Sequence, residues 1–166
     1  MTGEALSDLL AERKAAFQQR FQETFAIAGE GLSQSNEELL ATGVFALSNM
    51  LGGIGHWSGH SLLYEGKNVQ PSLLPATHLF SAVPSRAFFP RGFLWDEGFH
   101  QLLIGEWDTE LSMDIIGHWL NLLTSDGWLP REQILGDEAR SRVPQQFIPQ
   151  HRDHANPPAL CSALAR

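Results

Sequence analysis

Aromatic, acidic and basic side chains occur together in one short stretch of the sequence, residues 88–100. The stretch contains aromatic rings, the guanidinium of Arg91, the adjacent carboxylates of Asp96 and Glu97, and the imidazole of His100. Carbohydrates are commonly bound by aromatic rings that stack on the sugar and by charged planar groups that hold its hydroxyls. The composition of this stretch therefore predicts a sugar-binding subsite.

The same stretch also permits a purely structural explanation. Asp96 lies where a loop enters a predicted helix, and an aspartate in that position often caps the amino terminus of the helix. In that case Trp95 and Phe99 would belong to the hydrophobic core. The local pattern leaves both explanations open.

A second polar stretch follows a turn at Gly127. It interleaves acidic and basic residues without helical periodicity, among them Glu132, Asp137 and Glu138. Glycosidases use two carboxyl groups on separate segments, one as an acid and one as a base or nucleophile. Spacing alone therefore pairs Asp96 with Glu132, Asp137 or Glu138. The alternative is a solvated loop whose salt bridges each contribute little stability.

Two pairs of histidines could bind a metal ion, but neither forms a strong motif. His56 and His60 are four residues apart, yet the glycines around them disfavour the rigid helix that would align both rings, and no third ligand is evident. His151 and His154 lie near Asp153, and their spacing is equally weak as a signal. We therefore predict no metal site and no cofactor.

Composition and charge restrict the class of partner. The chain has 166 residues, of which 43% are hydrophobic, and this supports a folded core. Its net charge is −8, which makes a nucleic-acid partner improbable. No apolar run approaches the roughly 20 residues of a membrane span, and the amino terminus does not have the pattern of a signal peptide. We predict no membrane segment in this chain.

Helices and long loops must position the candidate residues. Apolar periodicity predicts four helices, at about residues 8–28, 35–51, 97–106 and 109–123. Ser35 and Glu38 suggest a capping box for the second helix, and Asp108 or Thr109 is expected to cap the fourth.

Strand patterns are weak throughout the sequence. Glycine and proline recur in residues 52–93, which we predict as a long, ordered loop. Another helix could begin at Pro157-Pro158, since proline is favoured in the first turn. These patterns predict an all-α fold with long ordered loops.

Several segments resemble glycoside hydrolase family 63, the family of processing α-glucosidases. The resemblance covers about residues 6–160. The segments that carry it are 51–55, 82–86, 88–100, 127–128, 131–142 and 155–158.

The resemblance implies both a fold and an activity. The catalytic domain of the family is an (α/α)6 toroid, so residues 1–166 would be the amino-terminal, incomplete portion of that domain. The family removes the terminal α-1,2-linked glucose from a glucosylated N-glycan oligosaccharide in the endoplasmic reticulum, with inversion and without a metal. This chain would therefore act in N-glycan processing in the endoplasmic reticulum.

The resemblance also assigns site residues. Trp95-Asp96-Glu97 matches a family motif that lines the subsite for the departing glucose. The full set of expected substrate-binding residues is Arg91, Trp95, Asp96, Glu97, His100, Trp128, Arg131, Glu132, Asp137 and Glu138.

The general acid of the family lies in a later Ser-Gly-Leu-Asp-Asp-type motif, and the general base lies nearer the carboxyl terminus. The 166 residues contain no Ser-Gly-Leu-Asp sequence. We therefore assign no catalytic residue, reject the pairing of Asp96 with Glu132 as acid and base, and expect a fragment that is inactive by itself. The alternative is a non-catalytic glycan-binding form or an unstable truncated product. A different (α/α)6 glycosidase, such as a trehalase or glucoamylase relative, is disfavoured by the contiguous match over residues 88–100.

Overall fold

The computed structural model describes residues 3–25, 35–66 and 69–165. The described residues fall into two compact units, one within Met1–Asn49 and the other within Met50–Arg166. Helices account for about 52% of the structure. No helix among the described residues is both long enough and apolar enough to cross a membrane.

The first unit contains α1 (Glu4–Phe25) and most of α2 (Ser35–Leu51). On α1 the ring of Phe21 is buried and lies 5.0 Å from the ring of Phe25, as expected for aromatic residues four positions apart on one helix face. The predicted end of this helix near residue 28 falls outside the described residues. The helix α2 begins at Ser35 as predicted, but the Ser35 side chain of the expected capping box also falls outside them.

The second unit contains short β-strands that the sequence did not predict. The predicted loop over residues 52–93 is therefore wrong in part, because it holds strands that pair with one another and with later segments. Their bounds are β1 (Gly55–Gly59), β2 (Leu62–Tyr64), β3 (Ser72–Leu73), β4 (Thr77–Ser81), β5 (Gly92–Phe93), β6 (Glu132–Gln133) and β7 (Gln150–His151).

These strands form three small sheets. The strands β1 and β4 pair antiparallel, β2 lies between antiparallel β3 and parallel β7, and β5 pairs antiparallel with β6. Strands this short carry no clear alternation of apolar and polar residues, so their pairing depends on partners that are distant in sequence. The all-α prediction is therefore correct only for the helical part of the chain.

The remaining helices largely follow the prediction. Their bounds are α3 (Leu94–Trp107), α4 (Thr109–Leu120), α5 (Gly136–Ser141) and α6 (Ala159–Leu164). Asp108 caps α4 as predicted, since its Oδ1 accepts a hydrogen bond from the Leu111 amide at 3.0 Å. The helix at Pro157-Pro158 is confirmed as α6, whereas the six-residue α5 was not predicted.

The hydrophobic core of the second unit lies between α3, α4, α6 and β4. Trp119 of α4 is fully buried there among aliphatic side chains such as Ile104 and Leu79. Close approaches are made possible by glycine. A Cβ atom on Gly98 of α3 would lie 2.6 Å from the Cβ of Ala159 on α6, so only glycine allows these helices to approach so closely. The core thereby fixes the start of α3, which carries several of the candidate site residues.

Candidate functional site

Pairing of β5 with β6 joins the two polar stretches that the sequence analysis identified. Phe93 lies opposite Glu132 in this ladder, and the Leu94 amide donates to the Arg131 carbonyl at 2.9 Å. Since β5 runs directly into α3, the ladder places the start of that helix beside Arg131 and Glu132. The tertiary fold therefore brings together segments that are far apart in sequence.

An ion pair between Arg91 and Glu132 lies next to this ladder. The Glu132 Oε2 atom lies 3.1 Å from both Nε and Nη2 of Arg91. The other oxygen, Oε1, lies 3.8 Å from Nη2 of Arg131. Arg91 is only 6% exposed, so the pair is largely shielded from solvent. The Glu132 carboxylate is thus held as an acceptor between two guanidinium groups.

Two aromatic rings enclose the Arg91 guanidinium. Its Cζ atom lies 4.6 Å from the ring centre of Phe93 and 5.6 Å from that of Phe89, distances typical of cation–π contacts. Nη1 of Arg91 is buried and has no hydrogen-bond partner in the described part of the chain. Arg91 therefore has an unused donor in addition to those that hold Glu132.

Asp96 and Trp95 lie in the first turn of α3. The residue that caps this helix is Phe93, with no side-chain hydrogen bond, so the capping explanation for Asp96 is wrong. Trp95 is 47% exposed and Phe99 is 54% exposed, so their assignment to the core is also wrong. The two rings meet edge to face at 5.9 Å. The exposed Trp95 ring can therefore stack on a ligand.

The Asp96 carboxylate is half-buried. It makes no hydrogen bond or ion pair with the side chains that the structure describes. It also lies at a helix amino terminus, where free backbone amides create a positive partial charge. Asp96 is thus available to accept hydrogen bonds from a ligand.

Glu97 is fully buried and forms an internal hydrogen-bond network. Its Oε2 accepts from the Ser81 hydroxyl at 2.8 Å, its Oε1 accepts from the Gln101 amide, and Nδ1 of His100 lies 3.4 Å from Oε2. Ser81 in turn accepts from the Trp119 indole at 3.1 Å. Every one of these contacts is with the protein itself, so Glu97 and His100 connect α3 to the core rather than face an open surface.

Trp128 lies beside a small charged cluster. The Cζ atom of Arg152 lies 5.0 Å from the Trp128 ring, and Nη1 of the same side chain lies 2.6 Å from Oδ2 of Asp126. The pKa of the Asp126 carboxyl lies below its ordinary value, mainly because the Thr124 hydroxyl donates a hydrogen bond to it and also because of the Arg152 cation. One face of Trp128 is thereby occupied by Arg152.

The acidic residues of α5 have different surroundings. Asp137 is fully exposed, and its nearest cation is Nη1 of Arg140 at 3.9 Å. Glu138 lines a cavity of about 620 Å³. The other residues that line this cavity are Gly52, Gly53, Ile54, Gly55, His56, Trp57, Val83, Arg86, Ala87 and Pro90. Among the described contacts, none joins Asp96 to Glu132, Asp137 or Glu138.

Sequence reasoning missed several residues that shape the site. Phe89 and Phe93 lie two residues before and after Arg91, and residues at this spacing share a face of extended chain, so the pattern could have revealed the aromatic enclosure. Arg86 lines the same cavity as Glu138, and the sequence pointed to it only through the segment 82–86, which resembles the family. The contact of Arg152 with Trp128 had no sequence signal, because 24 positions separate the two residues.

The structure separates the histidines of the first predicted pair. His60 bonds through Nδ1 to the Leu74 carbonyl at 2.8 Å. His56 instead stacks on His78, with ring centres 5.7 Å apart, and meets the edge of His118 at 6.2 Å. The second pair, His151 and His154, is brought together.

Comparison with known proteins defines the class to which this chain belongs. Residues 1–166 match the glycosyl hydrolase family 63 C-terminal domain. The chain therefore belongs to glycosyl hydrolase family 63.

Particular relatives extend over nearly the whole chain. It is 50% identical to mannosyl-oligosaccharide glucosidase GCS1 of Arabidopsis thaliana, over 96% of this chain and 19% of that protein. It is 45% identical to alpha-glucosidase 2 of the same plant, over 96% of this chain and 20% of that protein. It is 42% identical to the mannosyl-oligosaccharide glucosidase of Saccharomyces cerevisiae, over 99% of this chain and 21% of that protein. The chain thus spans about one fifth of the length of the curated relatives it matches.

Proposed function

We propose that this chain forms the substrate-binding part of a family 63 glycosidase domain. That domain would remove the terminal α-1,2-linked glucose from a glucosylated N-glycan oligosaccharide, with inversion at the anomeric carbon, in the endoplasmic reticulum. The observation that carries the proposal is the β5–β6 pairing, which sets Arg91, Trp95 and Asp96 beside Arg131 and Glu132 in a chain of this family. The names of the relatives support the substrate class.

Each group in this arrangement has a chemical role in sugar binding. The exposed ring of Trp95 can stack on the apolar face of a glucose unit, and the Asp96 carboxylate can accept hydrogen bonds from its hydroxyls. The guanidinium of Arg91 is buried and fixed by Glu132, so it holds β5 and the start of α3 in place beneath the exposed Trp95 and the half-buried Asp96. Glu97 supports this surface from the core, because its hydrogen bonds fix the first turns of α3.

The other expected binding residues form the surroundings of this subsite in the proposal. They are His100, Trp128, Arg131, Asp137 and Glu138. The described helices would be the first helices of an incomplete (α/α)6 toroid, with residues 1–166 as the amino-terminal portion of the catalytic domain. The packing of α3 against both α4 and α6 is compatible with such an arrangement.

Catalysis in this proposal depends on residues outside the 166 of this chain. An inverting glycosidase needs a general acid and a general base about 6.5–9.5 Å apart, on opposite sides of the bond that is cleaved. The proposed acid–base hydrolysis requires no cofactor. We therefore expect the 166-residue chain to bind a glucosyl-α-1,2-glucose disaccharide without cleaving it.

A binding and hydrolysis experiment on the purified 166-residue chain tests the proposal. Titration with glucosyl-α-1,2-glucose should change the tryptophan fluorescence, while a sensitive glucose assay should detect no release. Asp96→Asn should weaken binding about tenfold or more, since a hydrogen bond to a charged group contributes about 1.5–3 kcal/mol. Asp114→Asn is the matched control, because Asp114 is an exposed aspartate of α4.

Two outcomes would contradict the proposal. Turnover by the unmodified chain that is lost in Asp96→Asn would make Asp96 a catalytic residue. Binding that is equally strong in Asp96→Asn and Asp114→Asn would place the sugar elsewhere.

A second candidate, an unstable truncated product, is favoured by exposed aromatic residues. Phe88 is 72% exposed, Phe89 and Trp95 are each 47% exposed, and Phe99 is 54% exposed. Large exposed apolar surfaces promote aggregation or partner binding. A cooperatively melting monomer would support the glycan-binding chain, whereas aggregation with strong binding of a hydrophobic dye would support the unstable product.

A further inference from the structure

Two imidazoles and a carboxylate converge where β7 ends. Tyr64 of β2 pairs with His151 of β7, and the chain then turns so that the His154 amide donates to the His151 carbonyl at 3.3 Å. This turn stacks the rings of His151 and His154 with their centres 4.5 Å apart. One ligand atom from each of His151, Asp153 and His154 lies within 4.8 Å of the others.

This set of donor atoms matches the preferences of zinc-like ions. Imidazole nitrogens suit Zn²⁺, Cu²⁺ and Ni²⁺, and an aspartate oxygen is a common additional zinc ligand. Zn–N and Zn–O distances of about 2.0–2.2 Å place tetrahedral ligand atoms roughly 3.3 Å apart. On binding, the ligand atoms of the three side chains would have to move closer to one another by up to about 1.5 Å. Asp153 and His154 are exposed, so rotamer changes can supply this movement.

The surroundings leave room for an ion and for a further ligand. A cavity of about 810 Å³ is lined by His151 and Asp153, together with Tyr64 and Glu65. The carboxylate of Glu65 adds negative charge to this cavity. A fourth coordination position could therefore be taken by water or by an oxygen ligand from the cavity.

The arginine within this turn does not compete for the carboxylate of the cluster. Arg152 lies between His151 and Asp153 in sequence, but its guanidinium is paired with Asp126 at 2.6 Å and packs on Trp128 at 5.0 Å. Because Arg152 is held in this way, the positive charge of the turn is already partnered.

We propose that His151, Asp153 and His154 bind a divalent transition-metal ion of the zinc class. The ion would join the end of β7 to the following turn, and it would take no part in the hydrolysis proposed above. Its binding would therefore be independent of Asp96.

Calorimetric titration of the 166-residue chain with ZnSO₄ at neutral pH tests this site. Neutral pH is chosen because an imidazole nitrogen must be unprotonated to bind a metal ion. We expect one ion per chain, and His151→Ala and His154→Ala should each weaken binding at least tenfold. His78→Ala is the matched control, because His78 stacks on another histidine in a separate group, His56, His78 and His118.

A second measurement separates the site from effects on folding. Zn²⁺ should raise the melting temperature of the unmodified chain and of His78→Ala, but not that of the double variant H151A/H154A. Co²⁺ should give a visible absorption band in the same two proteins and not in the double variant. Undiminished Zn²⁺ binding by H151A/H154A, or loss of binding in His78→Ala alone, would overturn the proposal.

Discussion

The guanidinium of Arg91 lies 3.1 Å from the carboxylate of Glu132, although the two residues are 41 positions apart in the chain. The contact exists because β5, which begins directly after Arg91, pairs with β6, which contains Glu132. Any ligand at the start of α3 would therefore meet charged groups whose orientation is already fixed, and this reduces the entropy that binding has to overcome.

Removal of one partner from the Arg91–Glu132 pair should destabilise the chain strongly. Arg91→Met leaves a shielded carboxylate without its main cation, and we expect a loss of about 3–5 kcal/mol in the free energy of unfolding. Urea denaturation measures this quantity. The control is Arg131→Met, because Arg131 is 44% exposed and its looser contact should contribute less than about 1 kcal/mol.

The double variant R91M/E132L provides a sharper version of the same test. Replacing both charges with apolar groups should cost less than the sum of the single changes, because no unpaired charge remains. If the stability lost in R91M/E132L equals the sum of the losses in R91M and in E132L, then Arg91 and Glu132 do not act as a pair.

A methyl group at Gly98 should disrupt the contact between α3 and α6. The added Cβ would overlap with the backbone and Cβ of Ala159, so Gly98→Ala should destabilise by about 1–3 kcal/mol. Gly117→Ala is the matched control in another helix, because nothing lies within 4 Å of its added Cβ. That change should stabilise by about 0.4–1 kcal/mol. Thermal melting distinguishes the two variants. Equal shifts of the melting temperature in the same direction would contradict the close contact between α3 and α6.

Loss of the Ser81 hydroxyl should leave buried polar groups without partners. Ser81→Ala removes the acceptor of the Trp119 indole and a donor to Glu97, so we expect a loss of about 1–3 kcal/mol. Tryptophan emission should change as well, since the indole loses its hydrogen bond. Ser58→Ala, at an exposed position, is the control. A Ser81→Ala variant as stable as this control would argue against the network.

Acid titration should reveal the contribution of Asp126. Its pKa is lower in the folded chain than the ordinary 3.8, mainly because the Thr124 hydroxyl donates a hydrogen bond to it, with smaller contributions from backbone amides and the Arg152 cation. The ionised carboxylate therefore stabilises the fold above this ordinary value, and the contribution is lost as pH falls through the lowered folded pKa. Asp126→Asn should melt at a lower temperature at pH 7, and the difference should shrink below about pH 4. A difference independent of pH would exclude this linkage.

Much of the helical part of the fold was predictable from local pattern. The cap at Asp108, the helix predicted over about residues 97–106 and found at Leu94–Trp107, and the helix after Pro158 all depend on signals within a few residues. The strands were not predictable, since β5, β6 and β7 have two residues each and gain their hydrogen bonds from distant segments. The short helix α5 likewise offers too few residues for a periodic signal.

For the candidate site, too, the residue types were predictable from the sequence, whereas their burial and pairing were not. The amino-acid sequence alone places a guanidinium, carboxylates and aromatic rings in residues 88–100, and the family to which the chain belongs follows from the order of its residues. The packing of distant segments, in contrast, buries Glu97, holds Arg91 against Glu132 and leaves Asp96 without a side-chain partner among the described residues. The physical reason is that side-chain type is local information. Burial and pairing instead depend on which distant strand or helix packs against each residue.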